Sequence, residues 1–147
     1  MSQVPSQTDW LATCPKGLEL LLAEELQAIG AEAIKETVAA VSFKGSMEVA
    51  YRACLWSRLA NRVLKPLHSF MLNESNDLYE QCNDIPWEAH FSAAQSIAID
   101  FIGTSRLIDN TMYGSQRVKD AVVDRIRRIE GERPNVDTKN PDIRIQV

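Results

Sequence analysis

Long apolar runs are missing from this chain: no stretch approaches the roughly 20 apolar residues of a membrane span. The opening MSQVPSQTD is polar and has no signal-peptide core. Those two absences exclude a membrane partner and point to an unexported, cytoplasmic protein with a loose N-terminal tail. Cysteine and histidine are scarce as well. Cys14, Cys54 and Cys82 form an odd set without C-x-x-C spacing, and His68 and His90 are the only histidines. Neither a disulfide framework nor a zinc site is expected, and buried reduced thiols are. The 6 glycines stand apart from one another, which rules out a Gly-rich dinucleotide loop and a P-loop. No residue is assigned to catalysis, and no metal or cofactor is assigned to this chain.

Basic residues are absent over a long internal stretch. Residues 1–75 carry 7 basic and 8 acidic groups, 76–104 carry 0 and 5, and 105–147 carry 9 and 7. The net charge of −4 argues against broad affinity for polyanions, DNA included, while the surplus of cations in the last third allows a local nucleic-acid footprint. With 147 residues, the chain can bury about two-thirds of its unfolded surface as one domain or two small ones.

What is present is a regular succession of elements. Trp10 to Cys14 reads as a strand broken by Pro15, and a helix opens near Lys16 with Leu18, Leu21, Leu22, Leu26 and Ile29 at helical spacing until Gly30. Ala33 to Val38 and Ala40 to Lys44 read as a hairpin. Ser46 caps a second helix whose face Val49, Ala53, Trp56, Leu59, Ala60 and Val63 runs on to Pro66. Leu64 to Leu72 completes the β-α-β-β-α-β order of a ferredoxin-like unit. The polar NESND at 73–77 marks the boundary, giving units 1–74 and 75–147. Beyond it, two short helical pieces broken at Pro86 bring Trp87 and Phe91 to one core, Ser96 to Ile102 is a strand, and Ile143 to Val147 is a last one. The expected class is α+β.

Between those two strands lies the densest basic run. Asp109, Asn110 and Thr111 offer N-cap side chains, and Gly131 with Pro134 supplies the stop. At about 100° per residue, Val118, Val122, Val123, Ile126 and Ile129 share one arc, opposite Arg117, Arg125, Arg127 and Arg128. Asp120 and Asp124 are interleaved, so a solvated face of i,i+4 ion pairs is the alternative to a ligand surface. Lys119 falls on the apolar arc, where it either snorkels or meets an anion. Arg106, Asn110, Tyr113 and Gln116 gather at the helix N-terminus, where backbone N–H groups favour phosphate and Tyr can stack on a base. Arg58, Arg62 and Lys65 lie within about 60° on the wheel of the second helix without an acidic neighbour. RNA phosphate and the acidic residues Asp77, Glu80 and Asp84 are the two anions that would neutralise them.

The segments YGSQRVKDAVVD and RPNVDTKNPDIRIQV resemble the THUMP domain of bacterial 23S ribosomal RNA guanine-N2 methyltransferases. LWSRLANRVLKPL resembles the segment before it, and DWLATCPKGLELLLAEEL is similar to that family's short N-terminal module. The resemblance implies a ferredoxin-like unit plus a THUMP domain that binds 23S ribosomal RNA. It also implies a separate S-adenosylmethionine-dependent domain that receives the RNA, absent from this chain together with the later THUMP strands. RNA contacts are expected at Arg58, Arg62, Arg106, Asn110, Tyr113, Gln116, Arg117, Lys119, Arg125 and Arg128. A THUMP module of a transfer-RNA-modifying enzyme and a protein-interaction scaffold remain as alternatives. An uncovered edge at the last strand would favour a dimer.

Overall fold

A computed structural model describes residues 6–147. Most of the expected loose tail lies outside the described residues. The chain divides into Met1–Leu67 and His68–Val147. The break precedes the polar NESND stretch because Phe70 and Leu72 pack with the second core.

The first unit is a four-stranded sheet with two helices. In chain order it runs β1 (Thr8–Thr13), α1 (Glu19–Ala28), β2 (Glu32–Thr37), β3 (Ala40–Gly45), α2 (Met47–Trp56) and β4 (Arg62–Leu64). The strand order is β2-β3-β1-β4, and every pair is antiparallel. This is the ferredoxin-like arrangement, in which each helix crosses over an intervening strand. Alternation along the central strands follows from the pleat: Trp10, Ala12, Val41 and Phe43 are buried with Leu22 and Leu26 of α1.

Three sequence expectations shift here. The first helix starts at Glu19 rather than near Lys16, because Leu18 N–H donates to Pro15 O in a turn that needs Gly17 at φ 95. Leu21 is half exposed, so the buried stripe is narrower than its leucines suggested. The second helix stops at Trp56 instead of reaching Pro66. Ser57 is extended, and its Oγ accepts from the N–H groups of Leu59 and Ala60 while donating to Glu25 Oε2 at 2.7 Å. Leu59, Ala60 and Val63 still enter the core, from a turn and a three-residue strand. Apolar spacing alone could not tell that path from a continuing helix. Trp56 is left outside, 67% exposed, and the fourth strand is Arg62–Leu64 rather than Leu64 to Leu72.

The second unit contains α3 (Asp77–Asp84), a single 3-10 turn (Trp87–Ala89), β5 (Ile97–Asp100), α4 (Thr111–Glu130) and β6 (Ile143–Gln146). Trp87 and Phe91 enter the core as their spacing predicts, and Trp87 Nε1 donates to Cys82 O at 2.7 Å. Strands β5 and β6 pair in parallel, with α4 as the crossover. Asn110 caps α4 by accepting from Met112 and Tyr113 N–H, and Gly131 ends it at φ 79. Gly114 is a close-approach residue: a Cβ there would lie 2.7 Å from Phe101 Cζ. Among the described residues, no helix is long and apolar enough to cross a membrane.

Candidate nucleic-acid interface

Helix α4 positions the densest cations of the chain, and packing decides which of them face water. Its buried side is set by Val118, Ala121, Val122 and Ile126, which cover β5 and α3. Arg125 stands beside that apolar stripe and cannot reach bulk solvent freely. Its guanidinium grips Glu88 with two hydrogen bonds of 2.8 and 2.7 Å and donates to the carbonyls of Asn83 and Asp84. Only 17% of its side chain is exposed. The bidentate pair holds the Glu88 carboxyl down to about 2.

Arg117 is engaged in a similar way: it donates to Asn76 Oδ1 at 2.7 Å and lies 4.7 Å from the centre of the Tyr79 ring. Tyr79 in turn donates to Asp124 at 2.6 Å, and that bond pushes the phenol's ionisation up. Arg128 reaches Asn83 Oδ1 at 3.3 Å. The arginine face expected to be outermost therefore clamps α4 onto α3 and the 3-10 turn. This corrects the outward reading of Arg117 and Arg125. The reason is non-local, because Glu88 lies 37 residues from Arg125 and a helical wheel cannot show it.

At the N-terminus of α4 the geometry also differs from a ready phosphate cradle. Asn110 Oδ1 is turned to its own helix, bonding Met112 N–H at 2.8 Å and Tyr113 N–H at 3.3 Å. Gly114 N–H is bonded to Asn110 O. Those donors are spent on the cap. Arg106, Tyr113 and Gln116 are exposed around it. Lys119 is partly covered and sits 3.0 Å from Asp120 Oδ1, so its nearest anion is its own neighbour. Arg127, on the outward arc but not among the expected RNA contacts, is exposed, and its guanidinium forms no hydrogen bond or ion pair among those found in the described residues. Tyr113, Gln116 and Arg127 fall within about 60° on the helix, with Arg127 about three to four turns further along it.

In the first unit, Arg58, Arg62 and Lys65 are exposed and take part in no ion pair found there. They do not share a helical arc, since only Met47–Trp56 is helical. Arg58 follows the Ser57 turn, Arg62 opens β4, and Lys65 lies just past it. Two of the three acidic residues weighed against them serve their own unit: Asp77 accepts from Asn73 and Glu74 N–H, and Glu80 from Asn76.

The two folds define a ferredoxin-like domain followed by an α/β domain carried on one long helix. The family model described as the RlmL ferredoxin-like domain matches residues 9–64, and the THUMP domain model matches residues 73–147. The chain belongs to the THUMP family, with the ferredoxin-like domain of the RlmL type in front of it. It is 53% identical, over 95% of its length, to ribosomal RNA large subunit methyltransferase K/L of Aeromonas salmonicida (strain A449), covering 19% of that protein. Against the protein of the same name from Cellvibrio japonicus (strain Ueda107) it is 49% identical over 94% of its length, covering 18% of that protein. The chain thus spans about a fifth of the length of the curated relatives it matches. Among solved structures, SMU.472, crystallised as a complex with SAH, shares the fold with a TM-score of 0.83 at 19% identity, over 97% of this chain and 38% of that one.

Proposed function

We propose that this chain is the RNA-binding front end of a large-subunit ribosomal RNA guanine-N2 methyltransferase of the bacterial cytoplasm. Its task is to hold structured 23S ribosomal RNA for a catalytic domain elsewhere in the protein. The observation that carries this reading is the THUMP match over residues 73–147, with cations and an aromatic ring left exposed where a ligand can reach them. Arg58, Arg62, Arg106, Lys119 and Arg127 take phosphates, which makes affinity salt-dependent. Tyr113 and Gln116 reach unpaired bases. Asn110, Arg117, Arg125 and Arg128 act as positioning residues that fix the helix carrying the contacts. Holding the RNA supplies proximity, the part of catalysis a binding domain can contribute.

S-adenosylmethionine supplies the methyl group in such a reaction, and the residues present here do not fit it. Its crevice requires the carboxyl ends of an open parallel sheet at a switch point. The first unit is wholly antiparallel, and the parallel pair of the second leads into a loop with the single glycine Gly103. No methyl-transfer step is assigned to this chain.

The test is a titration of the chain with a structured large-subunit ribosomal RNA hairpin and with a transfer RNA, each at two salt concentrations. Salt-sensitive binding that prefers the ribosomal hairpin supports the reading. A preference for transfer RNA would move the chain to a transfer-RNA-modifying enzyme, and absence of binding at low salt would leave a protein-interaction scaffold.

A further inference from the structure

The C-terminus of α2 carries a feature that the contacts above do not use. Trp56 is 67% exposed, whereas Trp10 and Trp87 are 6% and 4% exposed. A large aromatic left in water on a well-packed unit is the informative exception to burial. The backbone that presents it is fixed. Ser57 N–H donates to Ala53 O at 3.0 Å, Ser57 Oγ to Glu25 Oε2 at 2.7 Å, and Arg58 N–H to Glu25 Oε1 at 3.2 Å. Asn61 N–H is bonded to Thr13 O at 2.7 Å, tying the following segment to β1. The turn therefore holds an indole and, two residues on, the exposed Arg58, with exposed Arg62 opening the next strand.

The acidic groups of the neighbourhood are committed. Glu25 is bonded to the turn, and Glu48 is paired with Arg52 at 2.7 Å. Arg58 and Arg62 thus follow the exposed indole closely in the chain, and neither guanidinium has an ion-pair partner found among the described residues.

We infer that Trp56, with the exposed Arg58 and Arg62 following it in the chain, is a stacking platform for an unpaired base of the bound RNA. The inference rests on the RNA-binding reading and deepens it by giving the first unit a contact with single-stranded nucleotides. An indole offers a π-face to any base, and guanidinium groups take the adjoining phosphates. Tyr51 and Leu55 of the same helix are exposed as well, and the unpaired cations that follow them favour RNA over an apolar protein segment.

The chain is titrated with a fluorescein-labelled RNA hairpin carrying an unpaired loop and with a fully paired RNA of the same length. Label anisotropy reports binding, and tryptophan emission reports stacking. With Trp10 and Trp87 buried, the emission change on binding comes from Trp56. The expected result is loss of tryptophan emission with the looped hairpin. Trp56→Leu should then bind that hairpin about tenfold more weakly, with little change for the paired RNA, and Trp56→Phe should restore affinity to within about threefold. Looped-hairpin binding without an emission change, or wild-type affinity in Trp56→Leu, overturns the platform while leaving the RNA reading intact. No binding of either RNA by the wild-type chain overturns both. Because Trp56 is exposed, neither variant removes a core contact.

Discussion

Fastened and exposed arginines occur in both units, but the contrast is sharpest between α4 in the second unit and the turn after α2 in the first. In the second, Arg117, Arg125 and Arg128 face a segment that holds the acidic residues of 76–104, and their guanidinium groups reach side chains or carbonyls of that segment. In the first, the guanidinium groups of Arg58 and Arg62 form no ion pair found among the described residues, whereas Arg52 pairs with Glu48 at 2.7 Å. A cation that has found a carboxylate within its own fold is mainly a fastening, because its desolvation is already compensated. A cation left exposed costs little to hold and is free to release counterions onto a polyanion. On the proposed reading, a basic run points to the ligand surface only where its cations lack partners within the fold.

Several measurements can break or sharpen that contrast. The largest expected effect is on the core that carries the fastened face. Ile126→Ala, at a fully buried site, should destabilise the second unit by about 2–5 kcal/mol in urea unfolding. Next come the free cations. Arg58→Ala with Arg62→Ala should lower the slope of log affinity against log salt by about 2, read from RNA titrations, with the melting curve unmoved.

The fastened pair predicts a pH effect of definite sign. Glu88 titrates near 2 in the folded chain, below its ordinary 4.5. Its contribution is therefore present above about pH 4.5 and is lost as pH falls towards about 2. Acid unfolding followed in the wild type and in Glu88→Gln should show a shallower dependence in the variant over that window. Asn110→Ala should cost about 1 kcal/mol through loss of the cap, measured by thermal melting, and should weaken RNA binding only as far as the helix end frays. The smallest effect is expected for Arg58→Ala alone, whose stability should stay within about 0.5 kcal/mol of the wild type.

Much of the architecture was legible from local signals. The β-α-β-β-α-β order, the Asn110 cap, the Gly131 stop and the inward Trp87 and Phe91 each rest on residues close in sequence, where periodicity and capping chemistry act directly. What was not legible is non-local. Leu59, Ala60 and Val63 keep helical spacing yet reach the core through a turn and a strand, so the spacing overstates the second helix. The same spacing places Trp56 in a core it does not enter. The partner of Arg125 could not be located on a wheel, although one clue was available: a stretch with 5 acids and no base precedes one with 9 bases. Segments so matched were candidates to pair with each other. The parallel pairing of β5 with β6 likewise depends on strands 46 residues apart, which no local pattern specifies.

The most direct test compares the salt dependence of RNA binding for the wild-type chain, for the triple variant Arg58→Ala, Arg62→Ala, Arg106→Ala, and for the neutral variant Arg125→Gln. If the exposed cations meet the RNA and Arg125 is a fastening, the triple variant loses about three from the slope and Arg125→Gln keeps the wild-type slope while melting at a lower temperature. An unchanged slope in the triple variant, or a slope reduced by about one in Arg125→Gln with its melting temperature intact, would contradict that division.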